Sequence, residues 1–498
     1  MRNESPWPTA SGTAAVAPQT FSALARPMCV DLDRALLKTG ACWESVLLLA
    51  RQAPWLLALL PWWLLRGRAY FKRRLARHVI PDAASLPYRA EVLDFLRQRR
   101  AAGESLVLVS AADERLAHAV AEHLGLFDHV IASDGRMDCA GAVRLFAIRN
   151  HLGRRDFAYL GSSAADLIIC EAAAEAYLAA AGDGVLRQAR MVCDPVELAA
   201  ATGKTKRLAA ALKTLRPHQW VKNLLVLVPL FLAHQVDQWA KAGTALVAMA
   251  AFCCCASAIY VLNDLLDVEV DRRHPTKRRR PFAAGELSPV VGLLLAPLLG
   301  LAGFALAARF VSIDFCKLLA VYVALTTVYS LGVKKQLVLD VLLLAGLYTF
   351  RMFAGAAAVE VQLSQWLLAF SMFFFFSLAL GKRYIELNRR GAPVGETLPG
   401  RGYRVEDASL LESLGPTSGY LAVLVLCLYI ESEQVKAMYD DPWLLWLVCP
   451  LLLYWITRFW LLAKRRQIAD DPVVFALKDK ASLCSIALTA VVVLLAKI

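Results

Sequence analysis

Hydrophobic and polar positions follow two different patterns along the 498-residue chain. In the first part, apolar runs of strand length (MCVDLD, SLVLVS, HVIAS and FAYLGSS) end in polar residues and alternate with helical stretches. This alternation predicts a parallel α/β sheet over residues 28–185. Because active sites of such sheets lie at the carboxyl ends of the strands, the polar residues at those ends are candidates: Asp31, Asp33, Ser110 and Asp166.

A long apolar stretch near residues 43–80 separates the first two strand-like runs. Pro54 and Pro61 interrupt it, which argues against one straight spanning helix. The stretch therefore predicts a helical cap whose Trp and Leu side chains touch the membrane or the second half of the chain. A re-entrant or spanning segment is the alternative.

From residue 215 onward the apolar runs are long enough, or nearly so, for a hydrocarbon core of about 30 Å. They predict nine spans, near 220–235, 243–262, 288–308, 313–332, 337–359, 364–381, 416–431, 442–460 and 482–497. We therefore expect an α-helical polytopic membrane bundle over 211–498. A linker at 186–210 would join it to the α/β domain, and a disordered tail would occupy 1–27.

The distribution of basic residues predicts the orientation of this bundle. Loops after the even-numbered spans hold twenty Lys and Arg residues, whereas the opposite loops hold four. By the positive-inside rule, the N-terminal domain and the active site are cytoplasmic at an inner membrane, and the C-terminus is periplasmic or extracellular. The net charge of +13 suits anionic headgroups or phosphorylated substrates, and no nucleic-acid-binding signature accompanies it.

The segment NDLLDVEVD, after the second span, carries the strongest chemical signal. Its spacing would present Asp264, Asp267 and Asp271 on one face of a continuing helix, with Asn263 beside them. Clustered carboxylates repel unless a cation neutralises them, and oxygen ligands favour Mg²⁺, which commonly binds substrate phosphates as well. The pattern predicts Mg²⁺ and a diphosphate.

The basic run that follows, RRHPTKRRRP, could hold the phosphate oxygens, with Lys277 and Arg280 as the candidates. A solvated basic loop that only sets the topology is the alternative.

The pattern NDxxDxxxD followed by HPxKxxRP resembles the UbiA superfamily of intramembrane transferases. The resemblance implies an all-helical bundle in which Mg²⁺ activates a diphosphate leaving group. The segments at 215–231 (LRPHQWVKNLLVLVPLF), 381–387 (GKRYIEL) and 470–482 (DDPVVFALKDKAS) are typical of its decaprenyl-phosphate phosphoribosyltransferase branch. That branch implies transfer of 5-phosphoribose from phosphoribosyl pyrophosphate to a decaprenyl or undecaprenyl phosphate, for cell-envelope glycans.

The loop after the sixth span separates this branch from aromatic prenyltransferases, which carry a second aspartate-rich motif there. This chain has Lys382, Arg383 and Glu386 instead, which suit a further phosphate. Lys222 and Lys334 join the predicted phosphate-binding set. The remaining predicted pocket residues are Gln219, Asn223, Tyr329, Asp340, Tyr348 and Arg351. Arg351 should face the bundle interior, and bracing the bundle through Asp340 is its alternative role.

The first part of the chain resembles HAD-type hydrolases. Asp31 and Asp33 in DLDRALL match the nucleophile and acid/base positions of that family, and Ser110 matches its second motif. Asp166 in GSSAAD remains from the fourth motif.

Other HAD positions are changed. Ala140 and Arg144 stand where a lysine pattern is expected, and Ser162 replaces a metal-binding aspartate. These losses predict an inactive domain retained for stability, docking or regulation. A weak or unusual phosphatase that removes the 5-phosphate is the alternative.

Two competing functions remain for the whole chain. A UbiA-type prenyltransferase would use a prenyl diphosphate and an aromatic or lipid acceptor, and the absence of a second aspartate-rich motif counts against it. A non-catalytic membrane scaffold or a transporter would have no use for a metal–diphosphate site. The sequence leaves the oligomeric state open, a homo-oligomer included.

Overall fold

The structure is a computed structural model that describes residues 26–153, 156–201, 203–388, 401–468 and 471–497. It divides into two compact units. The first comprises Met1–Lys204, Leu266–Arg279 and Ala283–Glu286, and the second comprises Thr205–Leu265, Arg280–Phe282 and Leu287–Ile498. All but the last two residues of the predicted tail lie outside the described residues.

A six-stranded parallel sheet organises the first unit, which confirms the predicted α/β class. Its strands are β1 (Met28–Asp31), β2 (Leu106–Asp113), β3 (His129–Ser133), β4 (Ala158–Gly161), β5 (Glu175–Ala179) and β6 (Val196–Ala199). The order across the sheet is β3-β2-β1-β4-β5-β6. The chain reverses its winding direction beside β1, where such sheets form a crevice at the strand carboxyl ends.

The last two strands were not predicted from the sequence. The segments EAYLA and VELA contain mainly Ala, Glu and Leu, which favour helices. They become strands because β5 pairs with β4 and β6 pairs with β5. The predicted linker at 186–210 consequently contains a strand of the sheet.

Among its described residues, the first unit has eight α-helices between residues 41 and 192. They are α1 (Ala41–Gln52), α2 (Leu60–Leu65), α3 (Arg68–His78), α4 (Ala90–Ala101), α5 (Glu114–Leu124), α6 (Gly141–Leu152), α7 (Leu167–Ala172) and α8 (Asp183–Val192). In the cap region, Pro54 begins a 3-10 turn that separates α1 from α2. Trp63 packs into a small core of its own, whereas Trp55 and Trp62 are exposed.

The remaining helices follow in chain order. They are α9 (Lys204–Thr214), α10 (Val228–Leu232), α11 (Trp239–Leu266), α12 (Val268–Arg273), α13 (Pro289–Phe310), α14 (Ile313–Leu331), α15 (Leu339–Ala358), α16 (Gln365–Asn388), α17 (Ala408–Ile430), α18 (Glu433–Lys436), α19 (Val448–Lys464), α20 (Pro472–Lys478) and α21 (Lys480–Leu495). Helix α12 belongs to the first unit.

Seven helices in the described part of the chain are long and apolar enough to cross a bilayer: α11, α13, α14, α15, α16, α17 and α19. Of the nine predicted spans, the first and the last are not among these seven helices. Near 220–235 the chain forms a 3-10 helix, Pro217–Val226, and then the short α10 with Pro229 in its first turn. The last predicted span is α21, which has 16 residues.

Small residues allow the spanning helices to approach closely. A Cβ atom on Gly303 of α13 would lie 2.6 Å from Cys255 Sγ and 2.9 Å from the carbonyl oxygen of Ala251, both on α11. Such contacts between helix backbones are characteristic of bundles that pack without a hydrophobic driving force in lipid.

Candidate active site

The aspartate-rich segment does not form one continuous helix. Helix α11 ends at Leu266 and α12 begins at Val268. Asp267 lies between them with φ −96° and ψ 7°, outside the helical region. The single carboxylate face expected from the i, i+3, i+7 spacing is therefore interrupted at its middle residue, with Asn263 and Asp264 on α11 and Asp271 on α12.

Asp264 is buried and bound by arginines in the helical unit. Its exposed fraction is 3%. One carboxylate oxygen accepts a hydrogen bond from Arg280 Nη1 at 3.1 Å, and the same oxygen is paired with Arg216 Nη2. Asn263 donates to Ser330 Oγ at 3.1 Å. Asp264 and Arg280, predicted separately as metal and phosphate ligands, are thus brought into direct contact.

Two predicted phosphate-binding lysines converge on one carboxylate. Lys222 Nζ lies 2.7 Å and Lys382 Nζ 2.9 Å from the same oxygen of Asp471. Tyr348 donates its hydroxyl to the other oxygen at 3.5 Å. Burial alone would raise the pKa of Asp471, but Lys382 and Lys222 hold that pKa well below its usual range.

Arg351 faces the bundle interior beside this cluster. It donates from Nε to Asn223 Oδ1 at 3.0 Å and from Nη2 to the Tyr322 hydroxyl at 2.7 Å. Its guanidinium also lies over the ring of Tyr348, 5.5 Å from the centroid. The alternative in which Arg351 braces the bundle through Asp340 is wrong, because the structure pairs Asp340 with other residues.

Arg383 occupies the centre of a separate network and is itself fully buried. It donates to Asp340 Oδ2 at 2.6 Å, to Glu386 Oε2 at 2.6 Å and to the Tyr329 hydroxyl at 2.8 Å. Tyr403 donates to the second Asp340 oxygen at 2.8 Å. With both Arg383 and Asp340 at 0% exposure, this network joins α15 and α16 as a structural brace.

Three predicted residues lie outside these clusters. Gln219 lies in the 3-10 helix Pro217–Val226, where its backbone N–H donates to Arg216. Lys277 begins an exposed turn, and its backbone N–H donates to His274 Nδ1 at 3.4 Å. The Lys334 carbonyl accepts from Arg401 at 3.4 Å.

Sequence reasoning missed Asp471, Arg216 and Tyr322. Asp471 and Arg216 both lie in segments that already carried the family resemblance, DDPVVFALKDKAS and LRPHQWVKNLLVLVPLF. An aspartate directly before a proline is also a common helix cap, and Asp471 does cap α20 by accepting from Val473 N at 3.2 Å. The sequence around Asp471 therefore predicts a helix cap and gives no sign of its contacts with Lys222 and Lys382.

In the α/β unit, Arg144 joins the surviving HAD positions. Its Nη1 lies 2.9 Å from Asp31 Oδ1, 3.0 Å from Asp166 Oδ1 and 3.0 Å from the Tyr159 hydroxyl. Both aspartates are almost fully buried. Arg144, at a position where the HAD pattern has lysine, therefore supplies a positive charge between the two carboxylates.

Asp166, Ser110 and Asp33 accept hydrogen bonds from nearby groups of the protein. The second oxygen of Asp166 accepts from the backbone of Ser162 and Ser163 and from the Ser163 hydroxyl. Ser110 Oγ accepts from Ala112 N at 2.9 Å, and Asp33 Oδ1 accepts from Ala41 N at 2.6 Å.

Burial raises the pKa of both aspartates at the end of β1. For Asp31 the charge of Arg144 opposes this rise, and for Asp33 the bond from Ala41 N opposes it.

Comparison with known proteins assigns both halves. The sequence model of the UbiA prenyltransferase family matches residues 224–486, more than half of the chain. The chain belongs to the UbiA prenyltransferase family. The haloacid dehalogenase-like hydrolase model matches residues 24–186, so a HAD-like domain precedes the UbiA domain. The protein is therefore a multi-pass membrane transferase of the UbiA superfamily.

Three relatives show how far the similarity extends. The uncharacterized protein y4nM of Sinorhizobium fredii is 37% identical over 461 residues, which cover 92% of this UbiA chain and 88% of that protein. Nodulation protein NoeC of Azorhizobium caulinodans is 38% identical over 278 residues, 54% of this chain and 88% of that one. Decaprenyl-phosphate phosphoribosyltransferase of Mycolicibacterium smegmatis is 39% identical over 204 residues, 39% of this chain and 64% of that enzyme.

The donor set of this UbiA chain fits Mg²⁺ by its chemistry. Within the described ranges, no three His, Cys, Asp or Glu side chains lie together as a metal-binding group. Mg²⁺ does not require such a cage, because it commonly binds one or two carboxylates, several waters and the phosphates of its substrate. Asp264, Asp267 and Asp271 offer only hard oxygen donors, which is the required ligand type.

Proposed function

We propose that this UbiA-family transferase moves 5-phosphoribose from phosphoribosyl pyrophosphate to a polyprenyl phosphate, in a Mg²⁺-dependent reaction. The observation that carries the proposal is the convergence of Lys222 and Lys382 on one largely buried carboxylate, Asp471. Two ammonium groups share one negative charge, so the cluster keeps positive charge for a phosphate.

The named relatives support the choice of substrate. Decaprenyl-phosphate phosphoribosyltransferases share 36–40% identity with this chain over 196–204 residues, which cover 58–65% of their length. The lysine at position 382 also lies where a prenyltransferase would carry its second aspartate-rich motif. A donor with a 5-phosphate and an acceptor with a phosphate both need basic residues there.

Asp264, Asp267 and Asp271 would hold Mg²⁺, which would neutralise the pyrophosphate leaving group and weaken the anomeric C–O bond. Arg280, which contacts Asp264, and Lys277 would bind the pyrophosphate oxygens. Asn263 orients the start of this segment through Ser330.

Lys222 and Lys382 would exchange Asp471 for the lipid phosphate or the ribose 5-phosphate. Asn223, Arg351 and Tyr348 line the same cluster and would orient the sugar. Arg383 is saturated by Asp340 and Glu386, so we assign it to bracing α15 against α16. We keep Lys334 as a candidate phosphate-binding residue, and Gln219 and Tyr329 as candidate pocket residues.

The acceptor phosphate needs no strong general base. It is already anionic at neutral pH, and its oxygen would attack C1 of the ribose as pyrophosphate departs. The isoprenoid chain would lie in a lateral groove of the bundle. We place the reaction on the cytoplasmic face of the inner membrane, where it would supply a pentose donor precursor for cell-envelope glycans.

The HAD-like domain is proposed to be inactive as a phosphatase. Arg144 already supplies positive charge between Asp31 and Asp166, and Ser162 offers a hydroxyl where that family binds metal with a carboxylate.

Lipid-linked label is the decisive measurement. Purified protein would be incubated with labelled phosphoribosyl pyrophosphate, a polyprenyl phosphate and Mg²⁺, and the lipid phase would be counted. We expect label in the lipid that is lost with EDTA and with Asp267→Asn. Absence of lipid-borne label, or label unaffected by Asp267→Asn, would contradict the proposal. Label transferred from a prenyl diphosphate instead would establish the prenyltransferase alternative.

A further inference from the structure

Within the first unit, a buried ion pair joins helix α12, which carries Asp271, to helix α1. Arg272 Nη1 and Nη2 each donate to one oxygen of Glu44, both at 2.9 Å. Glu44 lies in the first turn of α1, far away along the chain. This is the bidentate arrangement of guanidinium and carboxylate, which fixes direction as well as distance.

The pair is enclosed and its polar groups are satisfied. The side chains of Arg272 and Glu44 are 8% and 5% exposed. Thr39 donates its hydroxyl to Glu44 at 2.5 Å, and Arg272 Nε donates to the carbonyl of Ala283 at 2.9 Å. Arg272 thus links α1 with both ends of the segment 272–283.

A second contact secures the same segment close to Ala283. Gly285 adopts φ +69°, and a Cβ atom there would lie 2.8 Å from Lys38 Cβ and 3.3 Å from Pro87 Cβ. Any side chain at this position would be strained and would push the segment away from the domain surface.

The next residue offers a contrast within the same helix. Arg273 pairs with Asp82 at 2.8 Å, but the side chains are 60% and 42% exposed. Exposed pairs of this kind contribute little, whereas an enclosed bidentate pair holds a short helix in one orientation. The Arg272–Glu44 pair therefore constrains the orientation of α12 more than the Arg273–Asp82 pair does.

We propose that the HAD-like domain is retained to hold α12 in place: Glu44 binds Arg272, and Arg272 keeps α12, with Asp267 at its N-terminal end and Asp271 within it, in one orientation for binding the metal and diphosphate. This inference rests on the proposed function. It gives the domain a role that needs none of the HAD catalytic groups. Arg272 and Glu44 are positioning residues, since neither is assigned a substrate contact.

The test uses the full-length protein in detergent with four variants. Arg272→Gln and Glu44→Gln break the buried pair, Arg272→Lys keeps the charge but loses the bidentate geometry, and Arg273→Gln is the matched control. Two quantities are measured: hydrogen exchange of the amides in 268–274, and binding of Mn²⁺ in the presence of inorganic pyrophosphate.

We expect Arg272→Gln and Glu44→Gln to speed exchange in α12 at least about tenfold and to weaken Mn²⁺ binding about 10- to 100-fold, the range typical of residues that orient metal ligands. Arg272→Lys should fall between these variants and wild type. Arg273→Gln should match wild type. In the transfer assay, the Mg²⁺ concentration for half-maximal rate should rise more than kcat falls.

The inference is overturned if α12 exchanges at the wild-type rate in Arg272→Gln, if Arg273→Gln has the same effect, or if exchange rises while Mn²⁺ binding is unchanged. Neither the exchange measurement nor the Mn²⁺ binding measurement requires phosphoribosyl transfer. A protein that fails the transfer assay but shows the expected exchange and Mn²⁺ pattern would refute the proposed substrate and leave the positioning role supported.

Discussion

The two buried charge clusters of this protein have opposite excess charge. In the α/β unit, one guanidinium, that of Arg144, stands between the carboxylates of Asp31 and Asp166. In the helical unit, Lys222 and Lys382 share the single carboxylate of Asp471. The first cluster contains more carboxylates than cations. In the function proposed above, an incoming phosphate would replace the Asp471 carboxylate in the second cluster.

Breaking the α/β cluster should have the largest effect. Arg144→Met leaves two buried carboxylates without their cation and should destabilise the domain by about 3–5 kcal/mol at neutral pH. Hydrogen exchange of β1 peptides in denaturant would measure this loss. Arg100→Met is the control, because Arg100 pairs with Asp128 in a partly exposed position and should cost about 1 kcal/mol or less.

The pH dependence of that variant sharpens the prediction. Burial raises the pKa of Asp31, and Arg144 opposes the rise, so its removal raises the pKa further. A carboxyl group with a raised folded-state pKa stabilises the fold below its unfolded pKa, and this stability is lost as the pH rises through the folded value. Acidification from pH 7 towards pH 5 should therefore recover part of the loss in Arg144→Met. Equal losses at both pH values would contradict this account.

Removing the shared carboxylate of the helical cluster should have the next largest effect. Asp471→Asn leaves two lysines without a counter-ion and should destabilise the protein by about 3 kcal/mol. Inorganic phosphate should then raise the Tm of the variant more than that of wild type, because the anion replaces the missing charge. Asp314→Asn, at an exposed pair with Lys317, should leave both Tm values unchanged. A phosphate response no larger than that of wild type would argue against an anion site.

Removing one of the lysines should affect transfer rather than folding. Lys222→Met and Lys382→Met each leave Asp471 paired with the other lysine, so Tm should change little. Transfer of labelled phosphoribose to lipid should fall about 100-fold, as expected for loss of one group that stabilises developing charge. Lys317→Met provides the surface control. Full activity in both lysine variants would remove them from the site.

The smallest effect is expected at the HAD positions. We expect wild type and Asp31→Asn to release equal amounts of phosphate from the lipid-linked product, both at the background level. Free phosphate would be measured after adding the purified lipid-linked phosphoribose. Release that depends on Asp31 would show that the domain is an active phosphatase.

Local patterns were sufficient to predict the classes of both halves. The runs MCVD, LVLVSAAD and AYLG are buried along nearly their full length, and this is why apolar runs alone identified them as central strands. Strands β5 and β6 were not predicted because their residues favour helices, and only the pairing of β5 with β4 and of β6 with β5 makes them strands. The break between α11 and α12 at Asp267 was also not predicted, because no Gly or Pro lies next to Asp267 in the sequence.

The sequence by itself determined the membrane bundle, the parallel sheet and the aspartate motif, because hydrophobic periodicity and local spacing encode them directly. Only the tertiary structure decided the partners of the charges: Asp471 with Lys222 and Lys382, Arg383 with Asp340, Arg144 with two carboxylates, and Arg272 with Glu44. These pairs join residues from 22 to 249 positions apart. Buried charges must find a counter-charge wherever packing places one, and no local pattern specifies which it will be.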